Sequence, residues 1–265
     1  MHLSESLEGL LRRDRVLVLA GLGGVSALAW AYTARAARLM AHGSLAPGSF
    51  GLPRMQAWAG VDLLLLFVMW TIMMAAMMVP SATQMVLTFT GISRRQHPHR
   101  DPLLVTSAFL LGYVLAWAGF SAVGTLVQWA LHSAALINSM GASTSSTFGG
   151  ALLLAAGLFQ WTPWKDACLA RCRSPFGFLL TSWQPGAGGA LIMGIRHGVY
   201  CAGCCWALMA LMFVAGMMNL LWLAAIAAFC LLEKVVPAGQ LVRHGAGAVL
   251  AGWGLYLLGL GLNLA

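Results

Sequence analysis

Residues 187–217 read AGGALIMGIRHGVYCAGCCWALMALMFVAGM. A bilayer crossing needs about 20 predominantly apolar residues, and this run exceeds that with Arg196 as its single charged residue. The stretch therefore predicts a transmembrane helix. Arg196, His197, Cys201, Cys204 and Cys205 fall within ten residues of it. Ionisable groups at membrane depth are costly unless they pair, bind or react, so the same stretch marks a candidate site.

The rest of the chain agrees with a membrane setting. It has 265 residues, 60% of them hydrophobic and 8% charged, with mean hydropathy +0.82. Soluble domains carry about 25% charged residues, so a water-exposed surface cannot be built from so few. The 31 glycines suit close helix approach in lipid. Apolar runs predict spans near 16–34, 60–82, 103–131, 147–164, 187–217, 219–235 and 245–264. The fold class is an all-α polytopic bundle of about seven spans, a single domain over 16–265. Residues 1–15 form an amphipathic N-terminal segment, with Leu3, Leu7, Leu10 and Leu11 on one face and Arg12, Arg13 and Arg15 behind them. Such a piece is expected to lie on the bilayer surface. The run that follows is long enough to span, which argues against a cleaved secretory signal.

Cytoplasmic loops are enriched in Lys and Arg. With the N-terminus in the cytoplasm, inside segments hold Arg12, Arg13, Arg15, Arg94, Arg95, Arg100, Lys165, Arg171, Arg173, Lys234 and Arg243, and outside segments hold Arg35, Arg38 and Arg54. That 11 to 3 split favours N-in, C-out, in a bacterial inner (cytoplasmic) membrane. The formal charge of +8 is scattered over short loops, so no nucleic-acid partner is expected. The longest loop, around 83–102, carries His97 and His99, which read first as members of a solvated basic loop.

On a helix, Cys201, Cys204 and Cys205 share a face, with His197 and then Met193 at successive turns before them. These are soft or borderline donors, which select Cu(I) first and Zn(II) second. Cys168 and Cys172, also four apart, lie among Lys165, Arg171 and Arg173; cationic surroundings predict lowered thiol pKa values and a metal or redox pair. Met69, Met73 and Met77 follow helical spacing, with Met74 and Met78 alongside. Thioethers suit Cu(I), although methionine also serves as flexible core filler and cysteine as a small hydrophobe. Arg196 predicts a buried partner among Asp62, Asp166 and Glu233. The segment Glu233-Lys234 reads as a helix end. Gly194 and Gly198 offer a close-packing face for an internal or external helix. The segment Trp70–Val79 echoes Trp206–Val214 in a span of opposite direction, a pattern that inverted repeats produce and that coincidence also produces. Phosphate-binding loops and His-Glu-x-x-His are absent from the sequence.

At these residues the chain resembles an uncharacterised family of bacterial integral membrane proteins predicted to bind metal. The resemblance rests on WxxMMxAMMxP at Trp70–Pro80, on Trp161-Thr-Pro-Trp-Lys165 with CxxxCR at Cys168–Arg173, on HGxYCxGCCW at His197–Trp206, and on Gly216-x-Met218-Asn219 leading to Glu233-Lys234. It spans roughly residues 60–240. Trp164 stands where leucine is expected. The resemblance implies a metal and leaves the mechanism open.

The sequence thus predicts an integral membrane protein that binds a soft metal ion, copper foremost, in metal handling or transfer. The ligand candidates are His197, Cys201, Cys204, Cys205, Cys168, Cys172, Met73 and Met77. No catalytic residue is read. Partners would be the lipid bilayer and a metal-donating or metal-accepting protein, and a homo-oligomer is compatible with the reading. Two other classes remain open: a membrane thiol–disulfide oxidoreductase, for which Cys201-x2-Cys204 has the spacing, and a non-catalytic assembly subunit of a membrane complex.

Overall fold

The structure, a computed structural model, describes residues 2–41, 60–96, 101–138, 140–236 and 239–263. Its described elements are helices, in the order α1 (His2–Ala41), α2 (Gly60–Gln96), α3 (Pro102–Ser133), α4 (Ser146–Phe159), α5 (Pro163–Arg173), α6 (Pro175–Ser182), α7 (Gly186–Ala210), α8 (Met212–Ala215), α9 (Leu220–Val235) and α10 (Gly239–Asn263). Five helical stretches are long and apolar enough to cross a membrane: Glu8–Met40, Gly60–Gln96, Pro102–Ser133, Gly186–Ala215 and Gly239–Leu262. The segments expected as the fourth and sixth spans form shorter helices, α4 with 14 residues and α9 with 16.

Local chemistry explains where the helices break. Thr162 accepts a hydrogen bond from the Lys165 N–H, and Pro163 opens α5. Ser174 and Pro175 repeat that arrangement at α6. A hydroxyl cap followed by proline at the first helical position is a strong start signal, so the expected span 147–164 stops short and two small helices follow. After α7 the chain turns at Leu211 and Gly216, whose φ of +91° favours glycine. Asn219 then caps α9.

Residues 2–15 share one helix with the span after them, and Asp14 in that part is buried against Arg94. One expectation changes. The loop expected from 83 is helical to Gln96, because Met85, Val86 and Phe89 continue the buried stripe beyond Pro80. His97 and His99 lie outside the described residues.

Pro80 has no N–H, so the Ala76 carbonyl loses its helical partner; the Ser26 hydroxyl of α1 donates to it at 3.4 Å. The α3–α7 contact is a glycine seam. A Cβ on Gly194 would lie 2.0 Å from the Phe109 carbonyl oxygen, and one on Gly112 would lie 2.1 Å from that of Leu191. The close-packing face read at Gly194 and Gly198 therefore meets an internal helix. A second seam joins α4 and α10, where Gly150, Gly157 and Gly254 leave no room for a side chain. Trp70 of α2 lies flat on Gly124 of α3 and donates to Gln128 Oε1 at 2.7 Å.

Candidate metal centre

Near the middle of α7, Cys201, Cys204 and Cys205 are all buried. Their helical spacing turns them to one face, as the sequence predicts. The Cys204 and Cys205 thiols donate to the Cys201 carbonyl at 3.1 and 2.9 Å. Cys205 Sγ also lies 4.0 Å from Met78 Sδ of α2.

Two further helices bring sulfur to this face. Cys172 of α5 is buried with its thiol beside those of Cys201 and Cys204. Cys230 of α9 is buried with its thiol beside that of Cys205. The two cysteine motifs, separate in sequence, thus form one cluster. Cys168 sits at its edge, half-buried, with its sulfur occupying the space that Gly203 leaves open. All six cysteines are free thiols.

The short helices α5 and α6 run antiparallel to α7: Cys168 lies at Gly203, Arg171 at Tyr200 and Phe178 at His197. α5 belongs to none of the five membrane-length helices. Its thiols do not have the lowered pKa that the flanking cations suggest. Hydrogen bonding toward Cys201 and Cys204, with burial added, pushes the Cys172 thiol well up. Burial also raises Cys168, outweighing the opposing pull of Arg171. The cations are engaged elsewhere. The Arg171 guanidinium stacks 4.5 Å over the Tyr200 ring, Arg173 donates to the Val236 carbonyl, and Lys165 pairs with Glu233 at 2.8 Å.

A polar patch closes one side of the cluster. Lys234 of α9 is buried and donates to Ser81 Oγ at 2.8 Å and to Cys201 Sγ at 3.0 Å. The Tyr113 hydroxyl donates to the Met78 carbonyl at 2.9 Å and lies 3.2 Å from Cys201 Sγ. Cys201 is therefore the junction between the sulfur cluster and the polar groups. Beside it, the His197 ring is enclosed by Phe109, Tyr113 and Phe178, with centroids 6.2, 5.6 and 5.6 Å away. Its Nδ1 is buried without a hydrogen-bond partner.

Behind α5, the Lys165 ammonium contacts both Glu233 oxygens at 2.8 Å and also Gln160. Arg243 of α10 pairs with Asp166. These contacts fix α5 against α9 and α10, and so fix Cys172 relative to Cys230. Glu233 and Asp166, read as candidate partners for Arg196, are committed here. Arg196 itself is exposed on the surface of α7 and is not one of the buried network members. Arg94, Lys165, Lys234 and Arg243 are buried network members, so they say nothing of loop charge, and the split becomes 7 to 3.

Met73 and Met77 are buried in the core; it is their neighbour Met78 that approaches a thiol. Sequence reasoning missed Tyr113, Ser81 and Cys230, and read Lys234 as part of a helix end and as an inside-facing charge rather than as a partner of the thiols. The signal for Cys230 and Lys234 was their own spacing, four apart, which places both on one face of α9. Tyr113 carried no sequence signal. Among the described residues, no group of three or more His, Cys, Asp and Glu is arranged as a ready-made metal site. The thiols of Cys204 and Cys205 rest on a backbone carbonyl, and ligation requires them to turn.

The site and fold define an all-helical bundle with five membrane-length helices and a soft-donor interior. Residues 67–257 match the family PpoB2, described as a copper chaperone, and the chain belongs to that family. No curated protein and no solved structure matches the chain.

Proposed function

We propose that this protein is an integral membrane Cu(I) carrier of the bacterial inner membrane. Its cargo is held by Cys201, Cys204 and Cys205 with Cys172 and Cys230, and passed to an accepting protein. The observation that carries this reading is the meeting of thiols from α5, α7 and α9, with the Met78 thioether 4.0 Å from Cys205. Soft thiolates and thioethers favour Cu(I) over harder ions. The N-terminus and the end of the bundle bearing Arg12, Arg13, Arg15, Arg94 and Arg95 would face the cytoplasm.

Charge supports the reading. Cu(I) between two thiolates forms an anionic centre, and burying an unpaired charge costs several kcal/mol. The Lys234 ammonium, 3.0 Å from Cys201 Sγ, supplies the compensating charge. The set of thiols exceeds what Cu(I) needs at once, so the ion can move by exchange. One Cu–S bond forms as another breaks, and no electron is transferred. His197 Nδ1 offers a borderline nitrogen one turn from Cys201. Zn(II) would draw on that nitrogen more than Cu(I) does.

The test is elemental analysis of protein purified anaerobically under reducing conditions and offered Cu(I), beside a Cys201→Ser/Cys204→Ser/Cys205→Ser variant. Stoichiometric copper in the wild type and its loss in the variant are expected, with partial loss in Cys172→Ser and Cys230→Ser. Absence of copper from the wild type would sink the carrier reading. Thiols that cycle between oxidised and reduced states in cells would then favour the oxidoreductase.

A further inference from the structure

The buried charges around the thiol cluster do not all cancel within the protein. Lys165 is paired with Glu233, and Arg243 with Asp166. Lys234, the residue after Glu233 on α9, is also buried, and among the described residues no carboxylate pairs with it. Its ammonium donates to Ser81 Oγ at 2.8 Å and to Cys201 Sγ at 3.0 Å. The Ser81 hydroxyl is itself tied to the Met78 carbonyl at 2.8 Å, so α2 holds the ammonium against the sulfur. A buried charge without a counter-charge costs several kcal/mol. The interior therefore calls for one negative charge at Cys201.

That demand sets the sum of metal and thiolate charges at −1. Cu(I) meets it with two thiolates, Cys201 and one neighbour. A divalent ion on the same two thiolates is neutral and leaves the ammonium uncompensated. It reaches −1 only with a third thiolate, and Zn(II) takes a fourth ligand as well to complete its tetrahedron. Recruiting those ligands from α7 has a cost. The Cys204 and Cys205 thiols donate to the Cys201 carbonyl at 3.1 and 2.9 Å, and each must give up that bond to ligate. Donor softness alone does not separate the two cases, because thiolates also take Zn(II).

We propose that Lys234 sets metal selectivity by charge: it favours a monovalent soft ion over a divalent one at the same thiols. The inference rests on the carrier reading above and gives the substrate class of that site as monovalent soft cations. Selectivity of this kind uses repulsion of the wrong ion as well as attraction of the right one. Each thiol that becomes a ligand loses its proton to solvent as its metal–sulfur bond forms. Copper stays Cu(I), and no electron moves.

The test compares the wild type with Lys234→Met and Lys234→Arg, purified anaerobically with a phosphine reductant. Cu(I), Ag(I), Zn(II) and Cd(II) are each offered alone against a competing chelator, and Kd is read. Ag(I) and Cd(II) are both soft, so they separate charge from softness. In Lys234→Met, Cu(I) and Ag(I) are expected to bind about tenfold more weakly, equivalent to ~1.4 kcal/mol, while Zn(II) and Cd(II) bind more tightly. Lys234→Arg keeps the charge and should keep the wild-type ratio of monovalent to divalent Kd. Lys234→Gln, neutral and still able to bond Ser81, replaces Lys234→Met if that variant does not fold. A merely structural lysine would move all four ions the same way. A ratio unchanged in the neutral variant, or lost equally in Lys234→Arg, overturns the assignment and leaves the carrier reading standing. A wild type that takes up neither Cu(I) nor Ag(I) overturns both.

Discussion

The α3–α7 seam and the space between α2, α7 and α9 are built by opposite means. Along the seam, Gly112, Gly194 and Gly198 remove side chains until backbones touch. Across the space, long flexible side chains do the filling: Met78 reaches Cys205, Trp70 meets Phe213 at 5.9 Å, and Lys234 reaches Cys201. In lipid, helix association depends on packing and small-residue contact more than on burial, so the seam can hold the bundle while the interior stays compliant. Methionine and cysteine are soft both as ligands and as packing. The proposed carrier role would use that combination, because thiols that now rest on a helix carbonyl must turn without the frame moving.

The largest effect is expected from the seam. Gly194→Leu places a side chain where the Phe109 carbonyl oxygen already lies 2.0 Å from a Cβ. Overpacking typically costs ~1–3 kcal/mol, occasionally more, and two backbones must part here, so the upper end is expected to be exceeded. Size-exclusion profiles and thermal unfolding in detergent should show loss of the folded species. Gly119→Leu on the same α3, where a Cβ meets nothing within 4 Å, should behave as wild type. Equal tolerance at both positions would show that the seam does not hold the bundle.

Next comes the buried pair of Lys165 and Glu233, which fixes α5 against α9 at the edge of the compliant space. Removing one partner of a buried pair costs ~3–5 kcal/mol, whereas replacing both with apolar residues can be nearly neutral. Lys165→Met and Glu233→Leu should each lower the unfolding temperature sharply, and the double variant should recover most of the loss. Additive single effects would contradict the pairing.

The two regions were unequally legible in the sequence. The glycine face at Gly194 and Gly198 and the thiol face at Cys201, Cys204 and Cys205 follow from helical spacing, so both could be read from α7 alone. That Cys172 joins Cys201 depends on α5 packing against α7 after breaks at Thr162-Pro163 and Ser174-Pro175. Those breaks are local signals, but the direction the chain takes after them is not. The flanking cations misled for the same reason. Lys165, Arg171 and Arg173 sit near the cysteines in sequence, yet Glu233, Tyr200 and the Val236 carbonyl claim them in space. The ammonium that does reach a thiol, Lys234, comes from another helix. Donor softness points to copper, and the description of the matching family as a copper chaperone is consistent with that.

The smallest expected effect sharpens the contrast most. Met78→Leu keeps nearly the same volume, and such swaps usually cost less than ~1.5 kcal/mol. The Tyr113 and Ser81 hydroxyls bind the Met78 backbone carbonyl rather than its side chain, so they should be unaffected. What changes is the thioether 4.0 Å from Cys205. If the interior methionines are packing alone, Met78→Leu and Met73→Leu should be indistinguishable in both stability and copper retention. If Met78 is an auxiliary donor, Met78→Leu should retain stoichiometric copper but lose it faster to a competing Cu(I) chelator, while Met73→Leu retains it as the wild type does. Unfolding temperatures would stay together in either case. A difference in retention without a difference in stability can therefore be assigned to the sulfur, because shape and burial are nearly unchanged.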